Sequence, residues 1–178
     1  TPCTGAICGD FKSHVFTGPG TLVVTNVGPG SPTCSNKVDY LVSAGGGGGG
    51  GVAAAGSGGF RLSNSVGCIA APVMSPLASC TGITVTATPY TIVVGGGGPA
   101  GCGTTPGPGC GTNGVDSSFA TITSTGGGKG RGYAGTGYAG GSGGGGASGP
   151  SPTSGYAGGA GDTPSTPIAQ GTPGGAGY

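Results

Sequence analysis

Seven consecutive glycines, residues 45–51, restrict the folds available to this chain more than any other feature. They belong to a wider excess, since glycine accounts for 50 of the 178 residues. Glycine has no side chain to bury and loses the most backbone entropy on folding. The run joins two apolar stretches directly, whereas flexible linkers usually mix in polar residues. We interpret it as a close-packed extended segment similar to polyproline II, with a flexible linker as the alternative.

This interpretation makes a prediction about substitution inside the run. Where backbones touch because no Cβ separates them, a branched side chain cannot enter. We therefore expect Gly49→Val to disrupt the packing, and a variant that assembles normally would favour the linker. The glycine-rich tail that starts at Gly126 is likewise expected to be ordered in the assembly.

The low charge of the chain excludes some classes of partner. Charged residues make up 5% of the sequence, and the formal net charge is +1. Strong nucleic-acid binding requires many Lys and Arg contacts to phosphate, so no nucleic-acid partner is expected. No apolar stretch approaches the ~20 residues of a membrane-spanning helix. Small net charge leaves little repulsion between copies, which favours self-association.

Short β-branched runs predict strands, and no window keeps a helical period because Gly and Pro interrupt every candidate. The predicted strands are residues 21–25, 38–42, 83–87, 90–94 and 119–123. We expect the first two to form a hairpin or neighbouring strands, and residues 61–78 to form an ordered loop. Exposed edges at 21–25 and 83–87 are expected to pair with another copy.

The resulting fold class is all-β, with short strands, glycine-rich extended segments, many loops and disulfide staples. Composition divides the chain into three regions. Residues 1–44 form an N-terminal β segment, and residues 45–125 form a central β region with the glycine run and disulfide loops. Residues 126–178 are of low complexity and rich in Gly, Ser, Pro and Tyr.

Seven cysteines in so small a chain favour an oxidising compartment. The candidate disulfides are Cys3 with Cys8, Cys68 with Cys80, and Cys102 with Cys110. Cys34 is left over, which favours an intermolecular bond or a free thiol. A zinc set of Cys3, Cys8, His14 and Cys34 is the alternative, but its spacing contains no CxxC element, and no metal is expected.

No arrangement of residues supports catalysis or cofactor binding. Stretches beginning at Gly130 and Gly135 match GxGxxG, but the dinucleotide fingerprint requires a following helix, and Gly, Ser and Pro follow here. His14 is the only imidazole and lies in no recognisable triad. We expect a protein that is not an enzyme and has no cofactor.

A short Gly-Tyr-Ala-Gly repeat places tyrosines in the glycine-rich tail, where they supply stacking area with few rotamers to freeze. Lys129 and Arg131 are the only clustered charges. The candidate surface-contact residues are Lys129, Arg131, Tyr133, Tyr138 and Tyr156. So few charges favour an interpretation of Lys129 and Arg131 as solvated, solubilising residues, and contact with cell-surface glycans, including anionic sugars, is the alternative.

Several sequence blocks follow one another in a characteristic order: residues 16–21, 38–44 leading into polyglycine, 59–65, 75–78, 82–87, 90–95 and 118–128. Together they resemble the glycine-rich domains of bacteriophage tail-fibre proteins, which are common in marine phages. The resemblance implies a structural or adhesive role in a distal fibre, often trimeric, that meets a host surface. It places the protein on a virion surface or outside the cell.

The cysteines depart from that resemblance. Phage proteins fold in a reducing cytosol, where disulfides are rare. A secreted, self-assembling fibril subunit that polymerises by strand addition is therefore the alternative. Both hypotheses predict further copies of the chain as its main partner.

Overall fold

The computed structural model describes residues 6–8, 11–27, 36–64, 78–101, 111–148 and 155–178. These parts contain strands and no helix. The strands are β1 (Ala6–Cys8), β2 (Phe11–Ser13), β3 (Gly20–Val23), β4 (Lys37–Val38), β5 (Leu41–Ser43), β6 (Phe60–Ser63), β7 (Ala78–Ser79), β8 (Ile83–Thr84), β9 (Pro89–Val93), β10 (Ser117–Phe119) and β11 (Ile122–Ser124). The all-β class is confirmed for the described residues.

The largest sheet has the strand order β11-β10-β9-β3 and is antiparallel throughout. A second sheet has the order β5-β6-β7, in which β6 and β7 run parallel. Two-stranded sheets join β4 to β8 and β1 to β2. We call strands β3 to β11 the β head, because they surround one hydrophobic core.

The core of the β head contains four buried side chains, Val42, Val85, Ile92 and Phe119. Ile92 is buried between exposed neighbours in β9, as the two-residue period of a half-buried strand requires. The ring of Tyr90 packs edge-on against Phe119, with ring centroids 6.0 Å apart and planes inclined at 67°. These contacts are few, so the core is small.

The predicted hairpin between residues 21–25 and 38–42 is wrong, because β3 pairs with β9 instead, Thr21 opposite Thr91. Residues 38–42 are divided between β4 and β5. Between them, the Tyr40 N–H donates to Ser63 Oγ, which replaces a ladder hydrogen bond. Alternating side chains identify strands but carry no information on distant partners.

Further boundaries differ from the prediction. Residues 119–123 are not one strand, because Ala120 and Thr121 form the turn between β10 and β11. Residues 60–63, partly assigned to a loop, form β6, and β8 ends at Thr84 rather than at residue 87. Beyond β8, the Thr86 N–H donates to the Tyr90 hydroxyl, 2.8 Å away, so the chain turns there. Strands β3 and β8 each have a partner within the chain, and pairing of their outer edges with another copy stays a prediction.

Glycine-rich extended segments continue directly from the strands of the β head. We number them segment 1 (44–50), segment 2 (53–59), segment 3 (95–101), segment 4 (111–115), segment 5 (125–130), segment 6 (137–140), segment 7 (141–147), segment 8 (155–162) and segment 9 (171–177). Strands β5, β9 and β11 lead into segments 1, 3 and 5, whereas segments 2 and 4 lead into β6 and β10. The first five segments therefore share one end, at the β head.

Backbone hydrogen bonds between segments recur at every third residue. In segment 1 the N–H donors toward segment 2 are Ala44, Gly47 and Gly50, and their acceptors are the carbonyls of Gly59, Gly56 and Ala53 at 3.0, 2.9 and 2.9 Å. The acceptor numbers fall as the donor numbers rise, so these two segments are antiparallel. A period of three residues is that of a polyproline II helix.

The hydrogen bonds and contacts arrange the segments in three rows, which we call the glycine array. The outer row contains segments 3, 1 and 2, the middle row contains 4, 5, 7 and 9, and the remaining row contains 6 and 8. Segment 1 donates to segments 2 and 4 and accepts from segments 3 and 5. Segments 5 and 7 lie in the interior, and most of their residues are buried.

Close approach of backbones explains why the array needs glycine. A Cβ added to Gly48 would lie inside the van der Waals surface of the Pro99 carbonyl oxygen, so a Cα–H of Gly48 points at that oxygen. At Gly49 the nearest atom to an added Cβ is the Ala53 oxygen, 3.8 Å away. The glycine run is thus a close-packed extended segment, but Gly48 is the position that tests this packing, and Gly49 is not.

The direction of each segment decides where the chain reverses. Because neighbouring segments are mostly antiparallel, segments 1, 3, 5, 7 and 9 run away from the β head, and the others run toward it. Segments 1 and 2, 3 and 4, 5 and 6, and 7 and 8 are therefore connected at the opposite end, which we call the far end. The terminal Tyr178, 98% exposed, follows segment 9 at this end.

Candidate surface-contact site

Lys129 is a charged residue inside an otherwise enclosed glycine segment. Its neighbours Gly128 and Gly130 are buried, but Lys129 is half-buried. Its N–H donates to Asn113 Oδ1 of the segment 4 region, 3.0 Å away, and its Nζ lies 4.3 Å from the ring centroid of Tyr138 in segment 6. The side chain thus occupies the gap between segments 4 and 6, where segment 5 has no further backbone neighbour.

Arg131 completes a group that we call the cationic cluster, formed by Lys129, Arg131 and Tyr138. The Arg131 guanidinium carbon lies 5.3 Å from the Tyr138 ring centroid, and its Nη1 donates to the Tyr138 hydroxyl. Both cations therefore contact one aromatic ring, as in cation–π interactions. Gly135 adopts φ 142°, and an added Cβ there would lie 2.7 Å from Arg131 Nε, so glycine makes room for the guanidinium.

The structure brings together three of the five surface-contact residues predicted from the sequence. Tyr133 is 38% exposed in the turn after segment 5, and Tyr156 is half-buried in segment 8. Within the described residues, no hydrogen bond or ring contact joins Tyr133 or Tyr156 to the cationic cluster. The repeat therefore places its tyrosines in different environments rather than in one stacked row.

The described carboxylates lie at the head end of the molecule. Asp39 accepts from Ser63 Oγ at 2.9 Å, and Asp116 accepts from the Gly126 N–H at 2.8 Å. Asp162 accepts from Thr166 Oγ1 at 2.8 Å, and this hydrogen bond is the main reason that the pKa of Asp162 lies below its usual value. No described carboxylate forms a salt bridge with the cationic cluster, so none of the described acidic side chains neutralises its positive charge.

The outer row of the array has the opposite character. Segments 1, 2 and 3 contain Gly, Ala, Ser and Pro and no charged residue. A Cβ added at Gly46 or Gly49 would lie 3.8 Å from its nearest neighbouring atom, and a Cβ added at Gly96 would have no neighbour within 4 Å. One face of the array therefore consists of small, uncharged residues, whereas the gap between segments 4 and 6 carries the cationic cluster.

Sequence reasoning missed Gln170, which connects the array to the β head. Its side chain is 1% exposed, and its Oε1 accepts from the Thr125 N–H at 2.8 Å. Its Nε2 donates to the Pro164 carbonyl at 3.2 Å, and its own carbonyl accepts from the Phe60 N–H at 2.8 Å. The available signal was that Gln170 is the only glutamine in the chain.

Most of the cysteines fall outside the described residues, namely Cys3, Cys34, Cys68, Cys102 and Cys110. Cys8 belongs to β1, and Cys80, exposed after β7, is disulfide-bonded. None of the three predicted pairings is itself established. In the described parts of the chain, no group of His, Cys, Asp or Glu suits a metal ion, and no helix could cross a membrane.

Comparison with protein families gives one result. A family described as a glycine-rich domain matches residues 24–178, which include all the segments of the array and most of the β head. No curated protein and no solved structure matches the chain.

Proposed function

We propose that the chain, which belongs to the glycine-rich domain family, is a structural subunit of an extracellular fibre and acts as a fibre tip. The observation that carries this proposal is the glycine array. Its segments are joined sideways by backbone hydrogen bonds at every third residue, so the array is a rigid slab and not a flexible linker. A rigid slab with a β head at one end suits a part that projects from an assembly.

An adhesive role for the far end follows from the same architecture. The reversals between segments 1 and 2 and between segments 5 and 6 lie there, and they expose the side chains of Val52 and Tyr133. Loops positioned by a rigid scaffold are common locations of binding residues. The positive charge of Lys129 and Arg131, which no described carboxylate neutralises, supports contact with anionic glycans of a cell surface.

Self-association would use the uncharged outer row. The N–H groups of Gly46 and Gly49 have no hydrogen-bond acceptor in the described part of the chain, and they face away from the array. Both residues are half-buried in the single chain. A second copy laid on this row would bury their N–H groups and supply the acceptors that buried peptide groups require. The net charge of +1 provides little repulsion to oppose this contact.

Sedimentation at low micromolar concentration, under non-reducing conditions, tests the fibre proposal. The wild type should sediment as an oligomer or polymer. Gly46→Lys places a charge on the outer row at a position with room for a Cβ, so it should yield monomers with unchanged stability. Lys129→Gln, on the opposite side, is the matched control and should assemble normally. A wild type that unfolds cooperatively as a compact monomer would contradict the proposal.

A secreted fibril subunit, cross-linked through disulfides, is the second candidate, favoured by seven cysteines and by the disulfide bond of Cys80. Under this proposal the loops are stapled by the pairs predicted above, and Cys34 links copies. Mass spectrometry with and without reductant distinguishes the two candidates. Alkylation of all cysteines without prior reduction would exclude the fibril with disulfide staples.

A further inference from the structure

A groove in the β head, far from the cationic cluster, has the features of a ligand site. It has a volume of about 470 Å³ and lies between β6, β8, β9, the turn joining β10 to β11, and the loop that follows segment 8. The lining residues used below are Tyr40, Arg61, Thr84, Tyr90, Thr121 and Ile168. They include two tyrosine rings, one guanidinium group and the hydroxyls of two threonines.

Among the described residues that line the groove, Arg61 is the only charged one. Its Nη1 donates to the Thr123 carbonyl over 3.4 Å, which is long for a hydrogen bond. A guanidinium has five N–H donors, so most of its donating capacity is left for a ligand. No described carboxylate forms a salt bridge with it. Carboxylates accept paired hydrogen bonds from arginine in a fixed planar geometry.

The walls of the groove are fixed before any ligand arrives. Tyr90 contacts Phe119 of the core with its ring, and its hydroxyl accepts from the Thr86 N–H at 2.8 Å. The hydrogen bond with the Thr86 hydroxyl, and then that with the Thr86 N–H, lower the pKa of Tyr90. On the opposite side, the Thr166 hydroxyl lies between Asp162 Oδ1 and the Ile168 carbonyl, 2.8 and 2.7 Å away, and its contacts hold the loop in place. Walls held in this way reduce the ordering cost of binding.

We propose that this groove binds an acidic saccharide through its carboxylate. Arg61 pairs with the carboxylate, and a tyrosine ring supplies the apolar face against which a pyranose packs. Thr84 and Thr121 supply hydroxyls that donate to or accept from the sugar hydroxyls. The inference goes beyond the proposed function, because it rests on the β head and not on the array or the far end.

The test is calorimetric titration of the whole protein with a galacturonic acid trisaccharide, and with the neutral galactose trisaccharide in parallel. The acidic sugar should bind, and Arg61→Gln should weaken it by about tenfold or more, as expected for the loss of a hydrogen bond to a charged group. Lys12→Gln removes one positive charge at an exposed position of β2, outside the groove and the cationic cluster, and is the matched control. It should leave the affinity within about twofold.

A second variant tests the position without altering charge. Thr84→Tyr fills the groove at an exposed strand position and should abolish binding, with the unfolding midpoint unchanged. Absence of binding to the wild type, equal binding of both trisaccharides, or an equal loss in Lys12→Gln would each overturn the proposal. Sedimentation of the same variants should match the wild type, so failure here leaves the fibre proposal untouched.

Discussion

The β head and the glycine array are stabilised by different parts of the same chain. In the head, the side chains of Val42, Val85, Ile92 and Phe119 exclude water from a small core. In the array, the peptide groups bond to one another, and Cα–H groups point at carbonyl oxygens. Burial of apolar area, at ~25 cal/mol per Å², explains the stability of the head but not the stability of the array. Low apolar content therefore limits the core but not the array.

The largest expected effect comes from the head. Phe119→Ala removes a ring that is 6% exposed, and it should lower the free energy of unfolding by about 3–5 kcal/mol in chemical denaturation. Val93→Ala, at a side chain 40% exposed in the neighbouring strand, is the control and should cost less than about 1 kcal/mol. Hydrogen exchange would then show whether array amides such as Gly128 lose protection together with the head. Retained protection would mean that the two regions unfold separately.

The array has its own paired test. Gly48→Ala places a Cβ against the Pro99 carbonyl and should lower the free energy of unfolding by about 2–3 kcal/mol. Gly49→Ala has room for the same atom and should be neutral, or stabilising by about 0.5 kcal/mol, because it reduces the entropy of the unfolded chain. A loss of stability in Gly48→Ala and none in Gly49→Ala would show that backbone contact, and not the intrinsic conformational preference of glycine, decides the effect. Equal effects at both positions would contradict the packing described here.

The junction between the regions depends on a buried amide. Gln170→Ala leaves the Thr125 N–H without its acceptor and should lower the free energy of unfolding by about 2 kcal/mol. Thr172→Ala, at an exposed position of segment 9, is the control, with an expected change below about 0.5 kcal/mol. If Gln170→Ala behaves like its control, head and array are joined by the chain connections alone.

The turn between β10 and β11 offers a gain in stability. Ala120 has φ 51°, a left-handed conformation that costs a residue with a Cβ about 1 kcal/mol. Ala120→Gly should raise the free energy of unfolding by about that amount. Thr121→Gly, at the next residue of the same turn, should lower it, because only flexibility is added there. A loss of stability in Ala120→Gly would show that the strain at Ala120 is negligible.

The smallest expected effect is a dependence on pH. The pKa of Asp162 is lowered in the folded protein, first by the Thr166 hydroxyl, so its contribution is present above the unfolded value of ~3.9. It is lost as the pH falls from that value through the folded pKa. In denaturation series across acidic pH, Asp162→Asn should remove this part of the slope, and Asn tolerates the φ of 49° at this position. An unchanged slope would assign the acid sensitivity to other carboxylates.

Part of this fold could be predicted from the sequence. The absence of helix from the described parts of the chain follows from Gly and Pro in every window, and the extended form of residues 45–51 follows from the missing Cβ. Ile92 and Phe119 lie in short runs rich in β-branched and aromatic residues, so strands near them were identifiable. The pairing of β3 with β9 was not predictable, because the partners lie far apart in sequence and their patterns fit several neighbours.

The candidate site shows a similar limit. Lys129 and Arg131 stand out by charge alone, but their contact with Tyr138 depends on segment 6 lying beside segment 5, which glycine content does not encode. The head groove was missed because Arg61 fell in a stretch assigned to a loop. Its partners Thr84 and Tyr90 come from other strands, so no local motif contains them.

The three-residue repeat of the hydrogen bonds has a consequence for how the molecule finds its native alignment. A polyglycine segment moved along its axis by three residues restores nearly every bond, so the lattice alone has several alignments of almost equal energy. The ambiguity is removed where the repeat is broken, by the strands at one end and by side chains such as Lys129 that fit only one gap. The β head therefore fixes the axial position of each glycine segment, because the segments are uniform along their length and do not define an alignment by themselves.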